Sequence, residues 1–419
     1  MTSRERILAT LSREPVDRLP IDFGGTRQSG ISVFAYASLR AHLAANDSAV
    51  AAAVRASPRP RVFDLYQMLA EIEPAIAARF GSDCVALNRR AVAFNLPNEA
   101  WKSWRLPDGT EVEVPGAFAP ETQPDGDLLL RRGSEAIAQM PARGFYFDRL
   151  EKYPGALHPD LDGWEPPRLS PDDLAHFRAE AERLHRTTDQ AIVAALGPPY
   201  ELFYGLGTGG FEDWMVTFAS EPDYVGALYR KLTDSWLENL EAFHGAVGDR
   251  VHVLQFCDDF GTQTAPFLSV RAFRELLLPA YKRGLDWIHA RTPWKVLLHS
   301  DGAIRPLLPS IIEMGVDILN PVQTTATGMD PGRLKAEFGD RLAFWGGCCD
   351  CQGTLTRGSP AEVAAEARAH IAALAPGGGY VFASVHNIQA NVPPANIVAL
   401  FETALAVRGW GSARADPSV

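Results

Sequence analysis

The stretch WKVLLHSDGAIRPLLPSIIEMGVDILNP, residues 294–321, holds two short apolar runs separated by a polar turn and a helical segment. WKVLLH (294–299) and VDILNP (316–321) lack the in–out alternation of a strand with one wet face. They read as parallel strands covered on both faces, which are apolar almost continuously. Between them, Ile304, Leu307, Leu308, Ile311 and Ile312 recur at spacings of three and four, the mark of a helix with one buried stripe. The unit is strand, helix, strand.

The same unit repeats outward in both directions. Further strands are expected at RLPIDF (18–23), CVALN (84–88), QAIVAAL (190–196), RVHVLQF (250–256), RLAFWGG (341–347) and GYVFASV (379–385). Helical patterns fall at 222–244, 270–290 and 360–374. Eight strands alternating with helices make an α/β chain of the (β/α)8 TIM-barrel type, with a doubly wound open sheet as the main rival. Residues 89–189 are too long for one βα loop. There, WKSWRLPDGTEVEVP (101–115) carries Asp108-Gly109 between strand-like arms, a hairpin signal, and a helix is expected near 171–186. The reading is one barrel domain over 1–419, with 89–189 inserted and packed on it. The tail, 411–419, reads as frayed.

Composition narrows the function. The 419 residues are 46% apolar and 22% charged, and the net charge of −11 is spread along the chain without a basic block. Nucleic acid and anionic membranes are therefore not expected partners. MTSRERILATL at the start lacks the apolar core of a signal peptide, and no run approaches a membrane span. Five cysteines in such a chain suit a reducing cytoplasm, not a disulfide scaffold. GLGTGG (205–210) lacks the lysine or acidic partner of a phosphate or dinucleotide loop and reads as a rim loop. No Gly-x-Ser-x-Gly elbow is present.

In such a barrel the chemistry sits on the loops after the strands. Those positions hold Asp258, Asp259 and Gln263, then His299 and Asp301, then Asn320 and Gln323, then Cys348, Cys349 and Cys351, and finally His386, Asn387 and Gln389. His299, Asp301, one of the cysteines and His386 would reach one rim. Histidine, carboxylate and thiolate form a plausible zinc shell. The bland alternative for each residue is a satisfied polar group on a loop, and the position of the thiolate stays open among the three cysteines.

Five blocks in order carry a resemblance. They are RERILATLSREPVDRLPIDFG (4–24), DDFGTQ with SVRAFRELLLPAYK (258–263 and 269–282), GVDILNPVQ (315–323), GGCCDCQGTL (346–355) and GGGYVFASVHNIQANVPPANI (377–397). Together they resemble the uroporphyrinogen decarboxylase superfamily, and more closely its cobalamin-dependent zinc methyltransferase branch. That resemblance implies a barrel and a metal, zinc in the family pattern, at His299, Asp301, Cys349 and His386. Asp258, Asp259 and Gln263 would be catalytic; Arg27, Asn320, Gln323 and Asn387 would bind substrate. The methyl group would move between a small thiol, or another donor or acceptor, and a corrinoid on a separate protein, since this chain has no Asp-x-His-x-x-Gly signature. Two departures matter. The arginine-rich segment of the decarboxylases reads GGTRQSGIS (24–32) here, with only Arg27. The family's His-x-Cys and later Cys read His299, Asp301 and His386. The alternatives are a carboxy-lyase, in which Asp83 of FGSDCV (80–85) resembles the functional acid, and a non-catalytic metal- or ligand-binding barrel.

Overall fold

Each of the eight apolar runs becomes a stave of a barrel. The computed structural model describes residues 1–149, 160–198 and 211–410, so GLGTGG (205–210) and the tail 411–419 lie outside the described residues. Seven parallel strands form one sheet, in chain order: Cys84–Leu87, Ala191–Ala195, Val253–Cys257, Lys295–His299, Ile318–Asn320, Ala343–Trp345 and Tyr380–Val381. The RLPIDF segment closes the ring. Ile21 bridges Phe382 in parallel on one side, and on the other the Asp83 amide donates to the Ile21 carbonyl at 2.7 Å. An open doubly wound sheet would leave both edge strands unjoined to a common partner.

The runs are apolar throughout because alternate residues enter two different cores. Val253, Leu297, Ile318, Ala343, Trp345 and Val381 fill the barrel interior. Leu254, Leu298, Leu319, Phe344 and Tyr380 point outward against the helices. Burying each such large side chain contributes about 1.5–3 kcal/mol, and the polar side chain at the middle of the third strand, Gln255, is hydrogen-bonded to Gln28. The helices expected between staves are found at Pro171–Thr187, Pro222–Val247, Leu278–Arg291, Leu308–Met314 and Pro360–Leu374. Ser170 with Asp173, and Ser359 with Glu362, form capping boxes that start two of them.

The N-terminal helix, Ser3–Leu11, stops the lower end of the barrel: its Ile7 and Leu11 belong to the interior cluster. An ion network holds it there. Asp83, fully buried, accepts from Arg6 at 2.6 Å, from Arg18 at 2.7 and 2.8 Å, and from the Ile21 amide at 2.9 Å. Asp17 takes the other face of Arg6.

The inserted region holds the expected hairpin, Lys102–Arg105 paired with Glu111–Val114, with Gly109 at φ +91° in its turn. It also holds a four-stranded antiparallel sheet between Glu121 and Arg149 that the sequence pattern does not announce. Three helices between the first two staves, Val33–Ala44, Ser48–Ala56 and Pro74–Arg79, were likewise not expected. No helix among the described residues is long and apolar enough to cross a membrane.

Candidate functional site

Three strand ends meet at the C-terminal rim. His299 is the last residue of its strand and is 4% exposed. Its neighbours in register are Cys257 on one side and Asn320 on the other. Asn320 Nδ2 donates to the Trp345 carbonyl at 2.9 Å, which turns Oδ1 toward His299 Nδ1 at 2.6 Å. Nδ1 therefore donates to Asn320, and Nε2 is directed toward Asp301. A hydrogen bond of this kind on the far ring nitrogen is what orients a metal-binding histidine.

Asp301 follows two residues later and places Oδ2 3.7 Å from His299 Nε2 and 4.0 Å from His386 Nε2. The potential ligand atoms of His299, Asp301 and His386 all lie within 4.8 Å of one another. Tetrahedral ligands sharing a metal at ~2.0–2.1 Å would be about 3.4 Å apart, so small side-chain rotations bring these three onto one ion. The donors are two imidazoles and a carboxylate, a set that catalytic zinc sites use while keeping a position open.

Glycine lets the loops come this close. Gly302 has φ +96°, and a Cβ there would sit 2.3 Å from the Gly261 carbonyl oxygen. That contact presses the Asp301 loop against the loop carrying Asp259, whose carboxylate accepts the Asp301 amide at 2.9 Å. Burial pushes the Asp259 carboxyl up from its ordinary value, and His299 opposes it. Burial pushes His386 down, opposed by Asp301.

The cluster opens onto a cavity of about 490 Å³. Gln263, Gln323 and Asn387, all expected at the mouth, line it with Asp301 and His386. Gln323 accepts the Gly302 amide at 2.6 Å and donates to Gln263 at 2.7 Å. Asn387 donates to Gln67 at 2.7 Å and accepts from Gln389.

Several expected residues lie elsewhere. Cys349 does not join the cluster. Beyond Trp345 the chain turns through Gly346 and Gly347, at φ +98° and +75°, and buries Cys349 with its sulfur 3.7 Å from Glu366 Oε2. Cys348 is also fully buried. The thiol that reaches the cavity is Cys351, pushed up to about 11 by burial, with Asp350 and Asp301 adding to it. Asp258 points away from the mouth. Val253, Gln255 and Cys257 face inward, so the next position turns toward the helices, and its carboxylate accepts from Tyr281 at 2.5 Å. Asn320 orients His299 and does not line the cavity. Arg27 lines a second cavity of about 220 Å³, with Asn88, Arg89, Gln255 and Cys257, and pairs with buried Asp64 at 2.5 Å. Asp83 precedes its strand, at the closed end of the barrel, far from the position of a rim acid.

Sequence reading missed the trio of Gln28, Gln255 and Cys257, in which Gln28 donates to the Cys257 sulfur at 3.1 Å and accepts from Gln255 at 2.6 Å. Period-two counting from Val253 would have found the two strand members. It also missed Arg357 and Asn391 on the main cavity.

A closed parallel barrel with its polar cluster at the C-terminal rim defines a (β/α)8 protein of the kind whose active sites lie on those loops. The uroporphyrinogen decarboxylase (URO-D) family model matches residues 151–407, and the chain belongs to that family. It is 29% identical over 275 residues to a uroporphyrinogen decarboxylase of Azoarcus sp. (strain BH72), covering 62% of this chain and 72% of that protein. The corresponding decarboxylase of Aromatoleum aromaticum is 26% identical over the same lengths. A methyltransferase from Methanosarcina mazei shares the fold, with a TM-score of 0.57 and 16% identity over 96% of this chain and 98% of its own.

Proposed function

We propose that this protein is a metal-dependent methyltransferase that moves a methyl group between a small-molecule thiol, or another methyl donor or acceptor, and a corrinoid carried by a separate protein. The observation that carries this reading is the convergence of His299, Asp301 and His386, with ligand atoms within 4.8 Å of one another and the His299 ring oriented by Asn320. His299, Asp301 and His386 would hold the metal, with zinc fitting the donor set. Held by these residues, a divalent cation would lower the pKa of a bound acceptor and so favour its anion at neutral pH. Asp259, whose carboxylate accepts the Asp301 amide at 2.9 Å, would take up the proton released. Gln263, Gln323 and Asn387 supply amide groups to position the substrate.

A carboxy-lyase is the second reading, favoured by the likeness to two decarboxylases. Against it stand Asp83, engaged by two arginines at the closed end, and an opening segment whose single Arg27 is paired with Asp64. Metal analysis of the purified protein tests the proposal. About one ion per chain is expected. It should be lost in His299→Ala and His386→Ala and kept in Cys349→Ser. Full activity after exhaustive chelation would refute the metal-dependent reading.

A further inference from the structure

We infer that the closed end of the barrel, opposite the rim, binds a phosphate-type oxyanion between Arg4, His185, Arg250 and His252. The inference is independent of the proposed function, because His299, Asp301 and His386 lie at the other end of the strands.

Four separate elements bring these side chains together. Arg4 lies in the first turn of the helix Ser3–Leu11, and His185 in the last turn of Pro171–Thr187. Arg250 ends the short 3-10 turn Gly248–Arg250, and His252 immediately precedes the strand Val253–Cys257. Arg4 is tied to the end of the second helix: its amide donates to the Asp189 carbonyl at 2.7 Å, and Nη2 to the Thr188 carbonyl at 3.2 Å. His252 is tied to the next strand, donating its amide to the Ile192 carbonyl and accepting the Ile192 amide at Nδ1, both at 3.0 Å. The groups repel one another as protons bind. Burial pushes His185 down, with Arg4 and Arg250 adding to it, and His252 is held down by burial and then by Arg4 and His185.

What the cluster lacks is an acceptor. Since His252 Nδ1 accepts a backbone amide, Nε2 carries the ring proton. That N–H has no partner among the described residues, on a side chain whose residue is 9% exposed. Arg4 Nε is buried and also without a partner. Arg4 and Arg250 each give one nitrogen to a carbonyl at a helix end, Thr188 and Val247. Capping accounts for those two nitrogens and leaves the rest. Neither arginine forms an ion pair with a described residue, whereas Arg6 and Arg18 at the same end share Asp83. The carboxylates nearest in sequence are engaged elsewhere: Asp189 accepts the Ser3 amide at 3.3 Å, and Asp249 lies 3.6 Å from His244. Buried donors without acceptors are rare in folded proteins, and like charges held together repel. A tetrahedral oxyanion answers both, since its oxygens accept from several directions and its charge offsets the repulsion.

The test is calorimetric titration of inorganic phosphate and of glycerol 3-phosphate, at ionic strength held constant with chloride. Each is titrated into the unmodified protein and into His386→Ala, which removes a rim metal ligand and so separates the two ends. Binding should persist in His386→Ala. The double variant Arg4→Gln/Arg250→Gln should weaken it about tenfold or more, with metal content unchanged as the sign of an intact fold. Tighter binding of inorganic phosphate would make the free ion the occupant; tighter binding of the ester would make it a phosphate monoester, and either supports the inference. Absence of binding by both probes, loss of binding in His386→Ala, or undiminished binding in the double variant overturns it.

Discussion

Substituting Asp83→Asn separates a structural carboxylate from a catalytic one. Asp83 is fully buried and takes Arg6, Arg18 and the Ile21 amide. Arg6 is 6% exposed at its side chain and Arg18 16%, so solvent screens these pairs little. Asparagine keeps an acceptor for the Ile21 amide. It removes the negative charge, and its amide hydrogens would face the guanidinium groups. Arg6 retains Asp17, but Arg18 loses the one carboxylate it pairs with. Removing one partner of a buried ion pair costs about 3–5 kcal/mol. Unfolding entropy near ~2.1 cal/mol/K per residue gives ~0.9 kcal/mol/K for 419 residues, so the melting temperature should fall by roughly 3–6 °C. Scanning calorimetry reads this directly. Metal content and ligand binding should persist below the new transition, because the rim is at the other end of the barrel. An unchanged melting temperature with loss of activity would refute the reasoning and return Asp83 to the role of a functional acid.

Asn320→Ala should weaken metal binding about 10- to 100-fold in chelator competition, since it frees the ring that Asn320 orients. Stability should depend on pH through His252, which is 9% exposed and pushed down to about 4 by burial, with Arg4 and His185 adding to it. The unfolded chain, with an ordinary value near 6.5, binds more protons between pH 4 and 6.5. Stability should therefore rise with pH across that window, by roughly 3 kcal/mol in all. His252→Asn, which can still accept the Ile192 amide, should flatten that slope in urea unfolding at several pH values. Gly284→Ala should lower the melting temperature, at a cost of about 1–3 kcal/mol, because a Cβ there would lie 2.0 Å from Trp236 Cζ3.

The staves were legible because both faces of each strand are buried, which leaves an apolar run that needs no phase. His299, Asp301 and His386 were legible from the rule that rim residues follow strands. The errors arise where phase matters. Asp258 and Asp259 are adjacent, and only the inward set of Val253, Gln255 and Cys257 tells which faces the mouth. In the cysteine loop, two left-handed glycines reset the direction of the chain, so counting from Trp345 cannot tell Cys349 from Cys351. Asp83 required knowing which end of a strand it occupies. The sheet between Glu121 and Arg149 was hidden because two of its strands are two residues long and the other two carry only two and three buried residues. Such segments lack the periodicity that pattern reading depends on.

The closure of the ring by Ile21 against Phe382 joins residues about 360 apart. During synthesis the first stave leaves the ribosome early and must wait for its partner. At ~5–20 residues per second, that delay is roughly 20–70 s. Throughout it, the growing parallel sheet has bare edges, a template for pairing with other nascent chains. Yield in a host should thus respond to translation speed and chaperone supply more than to the equilibrium stability of the finished barrel.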